Sequence, residues 1–240
     1  DGDSLSDSWE VENHLNPLDP SDVDVDSDGD GATNREEYQS KSDPNDPDST
    51  PNWTMFQGNA GHTGFLPITV DDARFQHIWT YNPDIGELSR AVAAKGVVYV
   101  TGIDSNWSRT LLAINAVSHT RKWIENISSD YLQNVISAPS IANDLVYIYY
   151  NFAGSNPWLA NSNIQALNSS NGTEVFSTEL SGFNSYETSP TLFDDELFIN
   201  QNFSIDGINA INGAHQLKKS DSELSNSAWE LAVDNDYIYS

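Results

Sequence analysis

Asp26, Asp28 and Asp30 stand at alternate positions in the stretch DVDSDGDGATNREEY, with Gly31 directly after them and Glu37 near its end. Side-chain oxygens at that spacing converge on one centre when the chain curls, and such hard oxygens suit calcium, which takes about six to eight of them. In the twelve-residue calcium-loop template Asp26, Asp28 and Asp30 are the first, third and fifth ligands. Gly31 permits the sharp turn, Ala32 offers its carbonyl, Asn34 contributes directly or through a water, and Glu37 closes the site with two oxygens. The bland alternative for the same residues is an acidic loop facing water.

Displacing the N-terminal region by 27 residues makes it overlay itself, which favours the first reading while the acidic linker stays the alternative. Asp1, Asp3, Glu10, Pro17, Asp19 and Pro20 then fall on Asp28, Asp30, Glu37, Pro44, Asp46 and Pro47. A repeat that carries acids and prolines together argues for a built unit. In this first copy Asp1 and Asp3 take the third and fifth ligand positions, Asp7 the ninth and Glu10 the twelfth. The first ligand position precedes Asp1, which leads to the expectation of a longer parent protein whose array continues upstream. A start at Asp1 instead of Met is likewise expected of a processed or trimmed chain. Between the copies, Asp19, Asp22 and Asp24 either bridge neighbouring ions or face water. Each loop must be positioned by the segment C-terminal to it: SWEVENHL and NREEYQS carry short helical signals, halted by Asn16-Pro17 and Asp43-Pro44.

Composition divides the chain in the same place. Residues 1–50 hold sixteen of the 36 acidic residues and only Arg35 and Lys41 of the ten basic ones. They are also poor in large apolar side chains, so burial alone hardly offsets their ordering entropy without bound cations. A net charge of −26 argues against nucleic acid or an anionic membrane surface as partner, since both need Lys and Arg to neutralise phosphates. The chain has no cysteine, which excludes disulfides and thiolate metal sites. No apolar run reaches the length of a membrane span.

From residue 51 the texture changes to short β-branched and aromatic runs divided by Gly, Asn, Asp and Ser. Four runs match: AVAAKGVVYVTG (91–102), PSIANDLVYIYY (139–150), PTLFDDELFINQ (190–201) and WELAVDNDYIYS (229–240). Each reads as a hairpin whose second strand carries an aromatic: Tyr99, Tyr147, Phe198 or Tyr237. The first three are followed by second hairpins, in which Asn115, Asn168 and Asn209 correspond, as do the turn residues His119, Gly172 and Gly213. Two hairpins make a four-stranded antiparallel unit, the blade of a β-propeller. The expected fold is mainly β: an incomplete ring of blades over 51–240, the last one truncated, joined to a small N-terminal segment over 1–50 with calcium loops and short helices. Residues 75–82 are predicted to be the last strand of a preceding blade.

The paired loops, with NPLDPSDVDVDSDGDG and SDPNDPDS, resemble the thrombospondin type-3-like calcium repeats of secreted and surface proteins. They depart from a regular EF-hand in having one short helix per loop and Thr33 where an aliphatic residue is usual. WTMFQGNAGHTGFLP (53–67), followed by FQHIWTYN and units of the type VYV…LAIN…W, resembles the pyrroloquinoline-quinone-like propeller family. That family includes quinoprotein dehydrogenases and a non-enzymatic outer-membrane assembly scaffold, so the resemblance implies a fold more than an activity. Trp79, Trp123, Phe176 and Leu217 end equivalent outer hairpins and are expected to pack between blades.

No catalytic constellation emerges. His14, His62, His77, His119 and His215 have no metal-ligand spacing, and neither a nucleophile elbow nor a phosphate loop is present. A quinone cofactor would need basic groups for its carboxylates, and Arg90, Lys95, Arg109 and Arg121 are few. The sequence therefore reads as a calcium-binding protein, secreted, extracellular or on the cell surface, with the periplasm as an alternative. Its propeller is expected to serve as a structural or binding module for a protein or glycan partner. A quinoprotein-type dehydrogenase fragment and a subunit of an extracellular filament, a homo-oligomer, are the alternative readings.

Overall fold

Hairpins in the second part of the chain form because each turn carries the residues its backbone demands. The computed structural model describes residues 2–29, 33–40, 42–46, 49, 53–55, 60, 77, 79–83, 85–128, 136–153, 160–180, 188–201, 204–220, 231–233 and 237–239. Its strands are β1 (Ile85–Gly86), β2 (Val92–Ala94), β3 (Val97–Asp104), β4 (Arg109–Asn115), β5 (Arg121–Ser128), β6 (Ser140–Ala142), β7 (Leu145–Ala153), β8 (Ala160–Asn168), β9 (Glu174–Leu180), β10 (Thr191–Phe193), β11 (Glu196–Gln201), β12 (Ser204–Asn209), β13 (His215–Ser220), β14 (Ala232–Val233) and β15 (Ile238–Tyr239).

Strands β2–β5, β6–β9 and β10–β13 form three antiparallel sheets in simple up-and-down order, and β14–β15 are a further hairpin. The inner strands β2, β6, β10 and β14 lie side by side in that order. This is a mainly β, incomplete propeller: three blades and one hairpin of a fourth among the described residues.

The outer hairpins share one turn. Asn115, Asn168 and Asn209 each accept on Oδ1 from backbone N–H groups just ahead, at 2.7–3.0 Å. Each also bonds through its carbonyl to the N–H of His119, Gly172 or Gly213. Those three residues have φ of 59°, 77° and 74°, a left-handed conformation that glycine adopts without strain. An asparagine that hydrogen-bonds its own turn explains why this residue recurs at the same place in each blade.

Both faces of a middle strand are buried, which accounts for the continuous apolar run LVYIYY. Along β7, Val146, Ile148 and Tyr150 belong to the core shared with the first blade, whereas Leu145, Tyr147 and Tyr149 belong to the core shared with the third. Alternation along a strand assigns successive side chains to opposite faces, so one strand joins two inter-blade cores.

Aromatics fasten the described blades to one another and cover the outer turns. Trp79 stacks on His119 with ring centroids 4.8 Å apart. Trp123 lies so close over Gly172 that a Cβ there would meet its ring at 2.8 Å, and Phe176 covers Gly213 at 2.5 Å by the same measure. Trp123 Nε1–H and the Tyr99 hydroxyl donate to the Ser169 carbonyl at 2.9 and 3.1 Å; the Tyr147 hydroxyl donates to the Ala210 carbonyl at 2.9 Å. Trp123 and Phe176 thus pack between blades as expected, whereas among the described residues Trp79 packs on the first blade alone and Leu217 is exposed.

One expectation fails. Residues 77 and 79–83 form no strand, because a strand needs a ladder partner and none of the described residues pairs with this stretch. Trp79 and Tyr81 instead pack with Ile85 against Val100, Leu112 and Ile114. Strand β1, which the sequence did not announce, extends the inner edge of the first blade by pairing Ile85 with Asp104 and Gly86 with Ile103.

The acidic segment is helical where it is regular. Helix α1 (Asp7–Glu12) starts at Ser6, whose Oγ accepts the Trp9 N–H, and ends at Asn13. A single helical turn spans Asp22–Asp24, and α2 covers Asn34–Ser40. Trp9 and Tyr38 meet edge to face at 5.1 Å, tying α1 to α2.

Candidate metal centre

Helix α1 carries Glu10 into the interior with none of its surface exposed, and α2 does the same for Glu37. These two are partners in the 27-residue repeat, so each copy buries the carboxylate that the calcium template places last. Glutamate is almost never fully buried without a compensating group.

Around Glu10 the compensation is more carboxylate. Ligand oxygens of Asp3, Glu10 and Asp22 all lie within 4.8 Å of one another. The backbone aims two of them. Asp3 Oδ1 accepts the Leu5 N–H at 2.9 Å, and Asp22 Oδ2 accepts the Asn16 N–H at 2.9 Å. Asp22 Oδ1 and both Glu10 oxygens are buried and meet no hydrogen-bond donor among the described residues. Burial raises the Glu10 pKa above the ordinary glutamate value, and the negative charges of Asp3, Asp22 and Asp7 raise it further. Converging acceptors without donors are costly unless a cation completes them.

The second copy reaches into this centre. Asn34 Nδ2–H donates to the Asp22 carbonyl at 2.8 Å, and the Asn34 N–H donates to the Val25 carbonyl at 2.8 Å. Asn34 is itself buried, with Oδ1 lacking a donor among the described residues. Arg35 adds a bond from Nη1 to the Asp3 carbonyl at 3.2 Å and an ion pair with Asp24 at 3.3 Å. The two copies are therefore cross-braced through Asp22 and Asp3.

Set against the sequence expectations, Asp3 and Glu10 come together. Asp7 is exposed and lies outside the close set. Asp22 stands in that set instead, a residue the template does not contain; its only sequence signal was its place in the acidic run between the copies. In the complete loop, Asp26 Oδ1 accepts the Gly29 N–H at 2.7 Å, with Gly29 at φ +83°. Ser42 donates to Glu37 Oε1 at 3.3 Å. Asp26, Asp28 and Glu37 do not reach a three-carboxylate set among the described residues. Asp1, Asp30, Gly31, Ala32 and His62 lie outside the described residues.

Comparison with known proteins bears on both parts. Residues 26–47 match the family model of the bacterial TSP3 repeat. No curated protein matches the chain. Among solved structures, a quinohemoprotein alcohol dehydrogenase from Comamonas testosteroni superposes with TM-score 0.57 at 17% identity, over 71% of this chain and 27% of that one. BamB from Moraxella catarrhalis gives TM-score 0.45 at 19% identity, over 60% of this chain and 39% of that one. The chain thus spans about a quarter of the length of that dehydrogenase. At that identity the first likeness shows the propeller fold and nothing of its chemistry. Among the described residues no helix is long and apolar enough to cross a membrane.

Proposed function

We propose that residues 1–50 are a calcium-binding repeat unit and residues 51–240 a propeller that serves as a binding module, in a secreted or cell-surface protein. The observation that carries the calcium reading is the set of Asp3, Glu10 and Asp22 oxygens within 4.8 Å, with both Glu10 oxygens buried and without a donor among the described residues. An all-oxygen, strongly anionic donor set fits a hard cation that accepts irregular, high coordination, which describes calcium better than magnesium. Asp3, Glu10 and Asp22 would hold it in the first copy. In the second, Asp26, Asp28, Asp30, Asn34 and Glu37 would do so, with the Ala32 carbonyl.

The ion would neutralise converging charge and cross-link turns of a segment whose apolar residues are few. The residue pattern behind the TSP3 match supports the same chemistry. Sites of this kind suit calcium-rich surroundings, since extracellular calcium modules bind in the range of about 0.1–1 mM.

The test is calorimetric titration of the intact chain with calcium, beside proteolysis with and without chelator. Saturable calcium uptake, and cleavage within residues 1–50 that appears on chelation, is the expected result. An identical cleavage pattern in both conditions would overturn the reading.

A further inference from the structure

The first blade carries the extra strand β1, and the arm that leads into and out of it borders a groove of about 400 Å³. The arm lies flush on β3 because residue 102 is glycine: a Cβ there would meet Gly86 O, Ile85 Cδ1 and Leu88 Cδ2, all at 3.0 Å. Opposite the arm stands the tip of the β3–β4 hairpin. Asp104 Oδ1 stiffens it by accepting the N–H groups of Asn106 and Ser108, both at 2.8 Å.

Two residues with unusual backbones line the groove. Glu87 has φ +48° and Trp107 φ +63°. A bulky side chain in the left-handed region costs energy and is concentrated at ligand sites. The indole that this conformation presents is half exposed, at 52%.

The lining combines Trp107, Ile85 and Pro83 with the carboxylates of Glu87 and Asp104 and the Ser105 hydroxyl, and no basic side chain among the described residues takes part. An indole face attracts cations, and carboxylates beside it add charge-assisted hydrogen bonds. Apolar walls suit a long aliphatic stem. On a chain of net charge −26, a cationic occupant is also drawn in by the field of the whole molecule.

We propose that this groove takes an arginine side chain from a basic segment of a protein partner. Its planar, weakly hydrated guanidinium stacks on Trp107 and is held at the edge by Glu87 and Asp104. The proposal rests on the reading of the propeller as a binding module and gives that module a partner chemistry. It is independent of the calcium assay, which reads only residues 1–50.

The experiment uses the intact chain, calcium-saturated, with its tryptophan indole N–H signals followed by NMR. The probes are an acetylated Gly-Arg-Gly amide and its citrulline twin, which has nearly the same shape without the charge. A saturable shift confined to one indole, absent in Trp107→Ala and Trp107→Leu, is the expected result with the arginine peptide. Citrulline should bind about tenfold more weakly, the size of a partly desolvated cation–π contact. Glu87→Gln should weaken the arginine peptide several-fold and reduce its salt dependence. The six indoles that remain in the Trp107 variants show whether the fold is intact. Equal binding of the two peptides would overturn the proposal, as would unchanged binding by the Trp107 variants. Saturation of the same indole by a neutral oligosaccharide but not by the arginine peptide would also overturn it, while leaving the binding-module reading in place.

Discussion

Asp22→Asn tests how the first calcium loop is closed. The calcium template assigns the ninth position to Asp7, whereas the fold places Asp22 beside Asp3 and Glu10. Asparagine keeps the size and an acceptor oxygen, and an Asn Oδ1 can still take the Asn16 N–H that Asp22 Oδ2 takes at 2.9 Å. Only one of three converging charges is lost. With a dissociation constant of about 1 mM and calcium at about 10 mM, binding favours the closed segment by a factor of about eleven, or about 1.4 kcal/mol. Removing one full charge from a buried dication site is put at about tenfold in affinity, a conservative figure for charges so close together. The factor then falls to about two, or about 0.4 kcal/mol.

Cleavage of a transiently opened segment tracks the open population when reclosing is fast. Calcium should therefore slow proteolysis within residues 1–50 about elevenfold in the parent chain and about twofold in Asp22→Asn. Asp7→Asn, at an exposed position, should stay close to the parent. The reasoning is refuted if Asp7→Asn abolishes calcium protection while Asp22→Asn retains it, or if both match the parent.

The inter-blade contacts give further expectations, read by urea unfolding. Gly213→Ala places a methyl group 2.5 Å from the Phe176 ring on a backbone at φ +74°. Left-handed strain and overpacking together should cost about 2–4 kcal/mol, and a Phe176→Ala background should relieve part of the overpacking, the rest being the contact with Thr178 Oγ1 at 2.7 Å. Tyr147→Phe removes the hydroxyl that donates to the Ala210 carbonyl at 2.9 Å and should cost about 1–2 kcal/mol. Asp206 is fully buried; burial raises its pKa, against the lowering effect of Lys218, which lies at 3.6 Å. A raised folded pKa means that its stabilising contribution is complete below the ordinary aspartate value and is lost as pH rises through the folded one. Asp206→Asn should therefore flatten the fall in propeller stability between acid and neutral pH; an unchanged profile would count against it.

The hairpins were legible because their information is local. An Asn at the end of a strand, four residues before a left-handed turn, dictates the same bonds in every blade whatever surrounds it. That the second strand of such a hairpin, LVYIYY, is buried on both faces was settled by the blades on either side of it. Residues 77 and 79–83 defeated this reading: local propensity suggested a strand, but a ladder is a property of two segments, and packing of Trp79 and Tyr81 took its place.

The acidic segment divides along the same line. Spacing and repetition alone marked Glu10 and Glu37 as equivalent closing ligands, and both are buried. That spacing points to Asp7 and leaves Asp22 out, whereas the close set depends on how the chain returns after Asn16 to hand its N–H to Asp22. The same holds for the groove at Trp107, whose two walls are adjacent only because Gly102 lets β1 lie flat on β3. Sequence by itself determined which residues are chemically equipped and which turns they sit in. Which carboxylates share one centre, and which residues line one groove, was decided by tertiary structure, because ligand sites depend on distances between segments and local rules set only directions within one.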